Sequence, residues 1–310
     1  MIPFREYLEM IRPAVNRRIE EVASGEGAID PGVLPLLVRG KRMRAGLLLR
    51  IHAGLARTTV PTRQALDLAC AVELAHAASL ILDDMLDGDT VRRGAPSLHL
   101  TRGEGRAVLD AVGIPALPYV LAAPYGAGYV TMLASAQQSM ARGVAWEMLG
   151  GPEIPAAELY DAIVARKTGC LFSLAAAWGA MAAGEEEAVV AAFADFGLSA
   201  GKAMQIADDI ADLHAPAGGG RASRPGSEAL LFRCVPGDNG TRQALGRILE
   251  REIGGAAARI ADAGRHRVPP GAWEPFGQAV RDIVGLTIAS GRLPHDGTPL
   301  ELSPGTFTQR

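Results

Sequence analysis

Asp83-Asp84-Met85-Leu86-Asp87 and Asp208-Asp209-Ile210-Ala211-Asp212 are two copies of one acidic pattern, each closing a long, alanine-rich apolar run. A spacing of four puts the first and last carboxylates of each copy on one helix face. They stand at the C-terminal end of that helix, where the macrodipole already disfavours anions. Three like charges there call for positive charge to offset them. One such motif reads as a solvated helix end. Two, in matching positions on two apolar helices, read as oxygen ligands for hard cations. Mg²⁺ suits them, since it takes one or two carboxylates together with substrate phosphates.

The remaining chain reads as helices. Aromatic residues are only 5%, and no segment alternates apolar and polar residues at period two. Candidate helices cover Phe4–Ser24, Met43–Ala56, Thr62–Asp87, Val130–Leu149, Ala156–Ala183, Glu185–Leu213, Thr241–Gly264 and Glu274–Ser290. Pro61 and Pro155 stand just ahead of two of them, where proline suits a helix start. Small side chains let helix axes approach closely, which predicts an all-α compact bundle. The most apolar stretch, Ile114–Ala136, is broken by Pro115, Pro118, Pro124, Gly126 and Gly128. It reads as a buried helix pair with a turn near Pro124–Gly128, not as a membrane span. One domain is expected over residues 1–293, with a loop at about 214–240 rich in Gly, Pro, Ser and Arg, and a polar tail at 294–310.

With 310 residues, 48% of them hydrophobic, the chain is long enough for a sizeable core and is not a disordered polymer. Lys and Arg total 31 against 34 Asp and Glu, a balance that argues against nucleic-acid binding. Cys70, Cys170 and Cys234 are odd in number and far apart, which suggests a reducing, cytoplasmic setting. Charges interrupt every apolar run of the opening MIPFREYLEMIRP, so no signal-peptide core is expected.

Basic residues lie between and before the acidic motifs. Gly40-Lys41-Arg42-Met43-Arg44 opens a helix, so its backbone N–H groups and three basic side chains could face one phosphate. Arg92-Arg93-Gly94 follows the first motif, and Lys167-Thr168 interrupts an apolar helix. With two acidic motifs, these cations read as a diphosphate site.

In this order the motifs resemble those of the trans-isoprenyl diphosphate synthases, or polyprenyl synthetases. GKRMR is similar to their GKR-x-R segment. HAASLILDDMLDGDTVRRGAPSLH is similar to their first Asp-rich motif with its trailing RRG-x-P, and closest to carotenoid-type geranylgeranyl diphosphate synthases. KTG at Lys167 is similar to their Lys-Thr pair, and MQIADDIAD to their second Asp-rich motif. The resemblance implies an isoprenoid synthase bundle of long antiparallel helices around a central cavity, usually a homodimer. It implies that Asp83, Asp84, Asp87, Asp208 and Asp212 hold Mg²⁺, three ions with substrate bound, with Mn²⁺ as a possible substitute. Asp209 would stand behind the metal ligands or support a metal-bound water. Arg92, Lys167, Thr168 and Gln205 would contact the allylic diphosphate. Gly40, Lys41, Arg44, His76 and Arg93 would hold isopentenyl diphosphate. The reaction implied joins isopentenyl diphosphate head-to-tail to a C5–C15 allylic diphosphate.

Product length in this family is limited by residues just before the first motif. Ala75, Ala78 and Ser79 are small there, which implies a C20 product, geranylgeranyl diphosphate, or a longer one. Several positions depart from the family pattern: Leu82 precedes Asp83, Val144 replaces a Gln in GVAWE, Met204 precedes Gln205, and the loop after Asp212 has no lysine. Three competing readings are a member with a different acceptor, a cyclase of the same fold, and a non-catalytic partner subunit. The cyclase would need an N-x-x-x-S-x-x-x-E motif, which is absent, and a partner subunit would be expected to lose one of the motifs that are all present.

Overall fold

A computed structural model describes residues 2–25, 29–92, 95–212, 247–256, 258–259 and 274–288. Their architecture is helical, with one two-stranded hairpin. The elements are α1 (Phe4–Ala23), α2 (Leu34–Val38), α3 (Met43–Ala56), α4 (Arg63–Asp87), α5 (Leu98–Arg102), α6 (Glu104–Gly113), α7 (Ala116–Ala122), α8 (Ala127–Leu149), α9 (Ala156–Val164), α10 (Cys170–Ala182) and α11 (Glu187–Asp212). Residues 247–256 form α12, and Glu274–Ile288 form α13. Strands β1 (Val91–Arg92) and β2 (Ala95–Pro96) pair antiparallel right after α4.

The long helices start and stop where local chemistry says they should. Thr62 caps α4 by accepting a hydrogen bond from the Ala65 N–H, and nothing inside α4 is Gly or Pro. Gly88, at φ +67°, ends it in a left-handed turn, and its N–H bonds to the Asp84 carbonyl. α9 and α10 form one continuous rod, joined by a single π turn over Ala165–Gly169 that contains the Lys-Thr pair. Such turns recur at functional sites. The expected helix pair at 114–136 is present as α7 and the start of α8, joined by a 3-10 turn at Ala123–Tyr125.

A few fixed points give the helices their directions. At one end, Gln64 bonds to the Tyr129 hydroxyl, and the Tyr129 ring packs on Trp178 at 5.8 Å. At the other end Lys167 pairs with Glu147, so α10 runs antiparallel to α8. α11 returns antiparallel along α10, where Thr168 meets Gln205. Arg44 stacks over Phe172 while Gly179 abuts Leu48 and Ile51, so α3 runs alongside α10 in the same direction. Thr62 meets His52 and Ala45 meets Glu73, so α4 runs back against α3. From Gln64, α4 continues toward its acidic end at about 1.5 Å per residue. The start of α3 and of α10 and the ends of α4, α8 and α11 therefore gather at one end of the bundle. α13 closes the side: Asp282 accepts the Phe4 N–H at 3.0 Å, and Phe276 meets the edge of Phe193 at 5.5 Å.

The core is continuous through α1, α3, α4, α10 and α11 and is built of Ala, Leu, Ile and Phe. Two segments, Arg63–Asp87 and Glu104–Tyr125, are long and apolar enough to cross a bilayer by length and composition. The first is α4, most of whose apolar side chains pack within the bundle, while Leu82 and Leu86 near its end are exposed.

Candidate active site

The half-buried stripe of α4 carries His76, Ser79, Asp83 and Asp87, at helical spacing. Ala75 and Ala78 lie off that stripe, packed in the core at 1% and 4% exposure, so of the three expected chain-length residues Ser79 alone joins it. The Ser79 hydroxyl donates to the His76 carbonyl at 2.9 Å.

Asp84 is placed elsewhere. One residue on from Asp83 is 100° around the helix, and Asp84 is 2% exposed. It forms an ion pair with Arg92, whose Nη2 also binds Asp89 Oδ2 at 2.8 Å. The Gly88 turn and the β1–β2 hairpin bring Arg92 back over α4. Arg92 is thus held between two buried carboxylates. Arg93 lies outside the described residues.

The second motif is anchored from three elements. Asp208 and Asp209 are half-buried on α11. Gln205 Nε2 donates to Asp209 Oδ1 at 2.9 Å, and the Tyr160 hydroxyl donates to Asp209 Oδ2 at 2.7 Å. Thr168 Oγ1 donates in turn to Gln205 Oε1 at 2.6 Å. Asp212 is helical, and its side chain lies outside what is described. α11 crosses the π turn at a glycine contact: a Cβ on Gly201 would stand 2.8 Å from Gly169 Cα. That close approach lets Gln205 reach Thr168. α8 closes from the other side through Gly143, where a Cβ would stand 2.7 Å from the Lys167 N atom. Lys167 then pairs with Glu147 of α8. Glu147, Tyr160, Lys167, Gln205 and Asp209 line one small chamber with Ile163 and Val164.

The GKRMR segment corrects the expectation of three cations and free N–H groups at one phosphate. Arg42 is 2% exposed, at φ +60°, and works inside the fold. It donates to Asn16 of α1 and to the Leu37 carbonyl of α2, and pairs with Glu73 of α4 at 3.3 Å. The other Glu73 oxygen accepts the Ala45 N–H, so that helix-start donor is spent internally. Arg44 is buried with its guanidinium 4.7 Å from the Phe172 ring centre. Lys41 reaches the Leu286 carbonyl at 3.4 Å. Gly40, at φ +149°, makes the turn that puts Lys41 there.

Reading the sequence left out Glu147, Tyr160 and Asp89. Glu147 had a signal, as the acidic residue of the GVAWE segment. Tyr160 and Asp89 had none, because their partners are set by packing. Cys170 follows the Lys-Thr pair closely, but burial pushes its thiol up to about 12, while Arg44 pulls weakly the other way. It remains a neutral thiol, and no serine or cysteine is among the described residues that line the chamber.

A family model described as polyprenyl synthetase matches residues 33–219, which carry every motif above. The chain belongs to the polyprenyl synthetase family. It is an enzyme of prenyl transfer, and its fold is that of solved isoprenoid synthases. This polyprenyl synthetase is 35% identical over 246 residues to a geranylgeranyl diphosphate synthase of Pseudescherichia vulneris, covering 74% of this chain and 75% of that one. It is 31% identical to a geranylgeranyl diphosphate synthase of Pantoea ananas, covering 67% and 74%. The structure of a geranylgeranyl pyrophosphate synthetase from Pyrococcus horikoshii superposes with a TM-score of 0.71 at 20% identity, over 90% of this chain and 98% of that one.

Proposed function

We propose that this polyprenyl synthetase condenses isopentenyl diphosphate with an allylic diphosphate head-to-tail, giving a trans product of C20 or longer, most simply geranylgeranyl diphosphate. The observation that carries this is the assembly at one bundle end: two Asp motifs on α4 and α11, with Arg92 and Lys167 each already held by a carboxylate. A site with hard oxygen donors and poised cations suits a diphosphate better than a neutral ligand.

The donor set fits Mg²⁺, with Mn²⁺ as a substitute. Among the described residues no three acidic or His/Cys side chains converge on one point. The chemistry of the donors carries the fit: Mg²⁺ takes one or two carboxylates and fills the rest of its shell with water and substrate oxygens. Asp83, Asp87, Asp208 and Asp212 would hold them, up to three with substrate bound. Asp84 would serve through Arg92, which it orients. Metal would draw charge from the departing diphosphate.

The chain's own groups do the rest. Lys167 exchanges Glu147 for a diphosphate oxygen, and Arg92 shares itself between its carboxylates and the same group. Thr168 and Gln205 orient that end. Lys41, Arg44, His76 and Arg93 are assigned to isopentenyl diphosphate. Apolar walls keep water from the allylic cation until the alkene attacks. Ser79 leaves room where a large side chain would stop growth.

We also propose a cytoplasmic homodimer. Val108, Leu109 and Val112 share a face of α6 with 42%, 68% and 70% exposure, and Val120 of the adjoining α7 has 64%. An apolar patch of this kind suits burial against a second copy.

Mass spectrometry of products from isopentenyl diphosphate with C5, C10 and C15 allylic diphosphates tests the proposal. Products of C20 or longer are expected from each starter. Products ending at C10 or C15 would refute the chain-length assignment.

A further inference from the structure

We infer that Tyr160 is a positioning residue for the second Asp motif, acting through Asp209. The inference rests on the metal-diphosphate reading of that site and adds a residue outside every motif read from the sequence. Tyr160 stands on α9, seven positions before Lys167, and is 6% exposed. Its ring belongs to the core, and its hydroxyl crosses to α11 to donate to Asp209 Oδ2 at 2.7 Å. The other Asp209 oxygen takes the Gln205 amide at 2.9 Å. Gln205 in turn accepts the Thr168 hydroxyl at 2.6 Å. The resulting chain has a fixed direction. An ionised carboxylate only accepts, so Gln205 must turn its NH₂ to Asp209 and its carbonyl to Thr168.

Three consequences follow from the chemistry. Both oxygens of Asp209 receive charge-assisted hydrogen bonds, so the carboxylate plane cannot rotate freely. It can then accept from a water held on a metal by the neighbouring Asp208. Thr168 and Gln205, two residues assigned to the diphosphate, inherit their orientation from the same anchor. Loss of the Tyr160 hydroxyl should therefore weaken metal-diphosphate binding while leaving the ring's packing intact.

Calorimetric titration of Mg²⁺ with inorganic pyrophosphate into the full chain tests this without turnover. Tyr160→Phe should weaken binding about tenfold, as expected for a lost hydrogen bond to a charged group. Tyr129→Phe, which removes another buried tyrosine hydroxyl at the far end of the bundle, should stay within about twofold of wild type. Asp209→Asn should weaken binding by itself, and adding Tyr160→Phe to it should change little, because the two act as one unit. If Tyr160→Phe failed to fold, an unweakened Asp209→Asn would still overturn the inference. So would unchanged binding by Tyr160→Phe, or a full tenfold further loss in the double variant. A wild type that takes up no Mg²⁺ and pyrophosphate would instead overturn the metal-diphosphate reading, and the inference with it.

Discussion

At Arg42, one buried guanidinium joins α1, α2 and α4, and removing it leaves Glu73 charged and buried. Arg42→Ala should destabilise the fold by about 3–5 kcal/mol, read as a lower urea midpoint. Lys167→Ala should cost less stability, because Glu147 keeps a little more exposure than Glu73, and should lower kcat/KM about 100-fold, because the pair lies at the proposed diphosphate end. The contrast separates two cations that look alike in sequence. The type and order of the motif residues were legible there, but Arg42 could not be told from a phosphate ligand. Its partner Glu73 is brought near only by packing. Ser79→Phe, on the open stripe of α4, should shorten the product to C15 or less in chromatography of dephosphorylated products.

At the scale of elements, the meeting of α8 with the π turn decides where Lys167 stands. Gly143→Ala would drive a methyl to 2.7 Å from the Lys167 N atom, so α8 must move. The variant should lose about 1–3 kcal/mol in denaturant unfolding, and its loss of activity should exceed that of a surface Gly113→Ala, which meets nothing within 4 Å. The long helices were legible because caps such as Thr62 and Gly88 and the alanine-rich runs all point one way. The short α2, α5 and α6 and the β1–β2 hairpin were not foreseen, since a few residues carry too little periodicity. The π turn was equally invisible: it inserts one residue into a helix without changing composition. Both ends of the helix expected at Thr241–Gly264, the loop at 214–240 and the tail at 294–310 lie outside the described residues.

The whole molecule draws five helix ends to one site, so the motifs can act together only when the bundle is assembled. The proposed second copy covers the apolar face of α6 and α7. Size-exclusion chromatography with light scattering should find twice the chain mass, and Val112→Glu with Val120→Glu should convert it to the monomer. The pairing of the two Asp motifs was legible in sequence from their repetition alone. Arg92 and Lys167 were legible as candidate cations too; their pairing with Asp84 and Glu147 was not, because packing sets it. The central claim is tested most directly by incorporation of labelled isopentenyl diphosphate into an extractable prenyl product. The account predicts incorporation with Mg²⁺ and an allylic diphosphate, abolished by EDTA and reduced at least 100-fold in Asp208→Ala. Consumption of the allylic diphosphate with no label in the product, or incorporation that persists in EDTA, would contradict it.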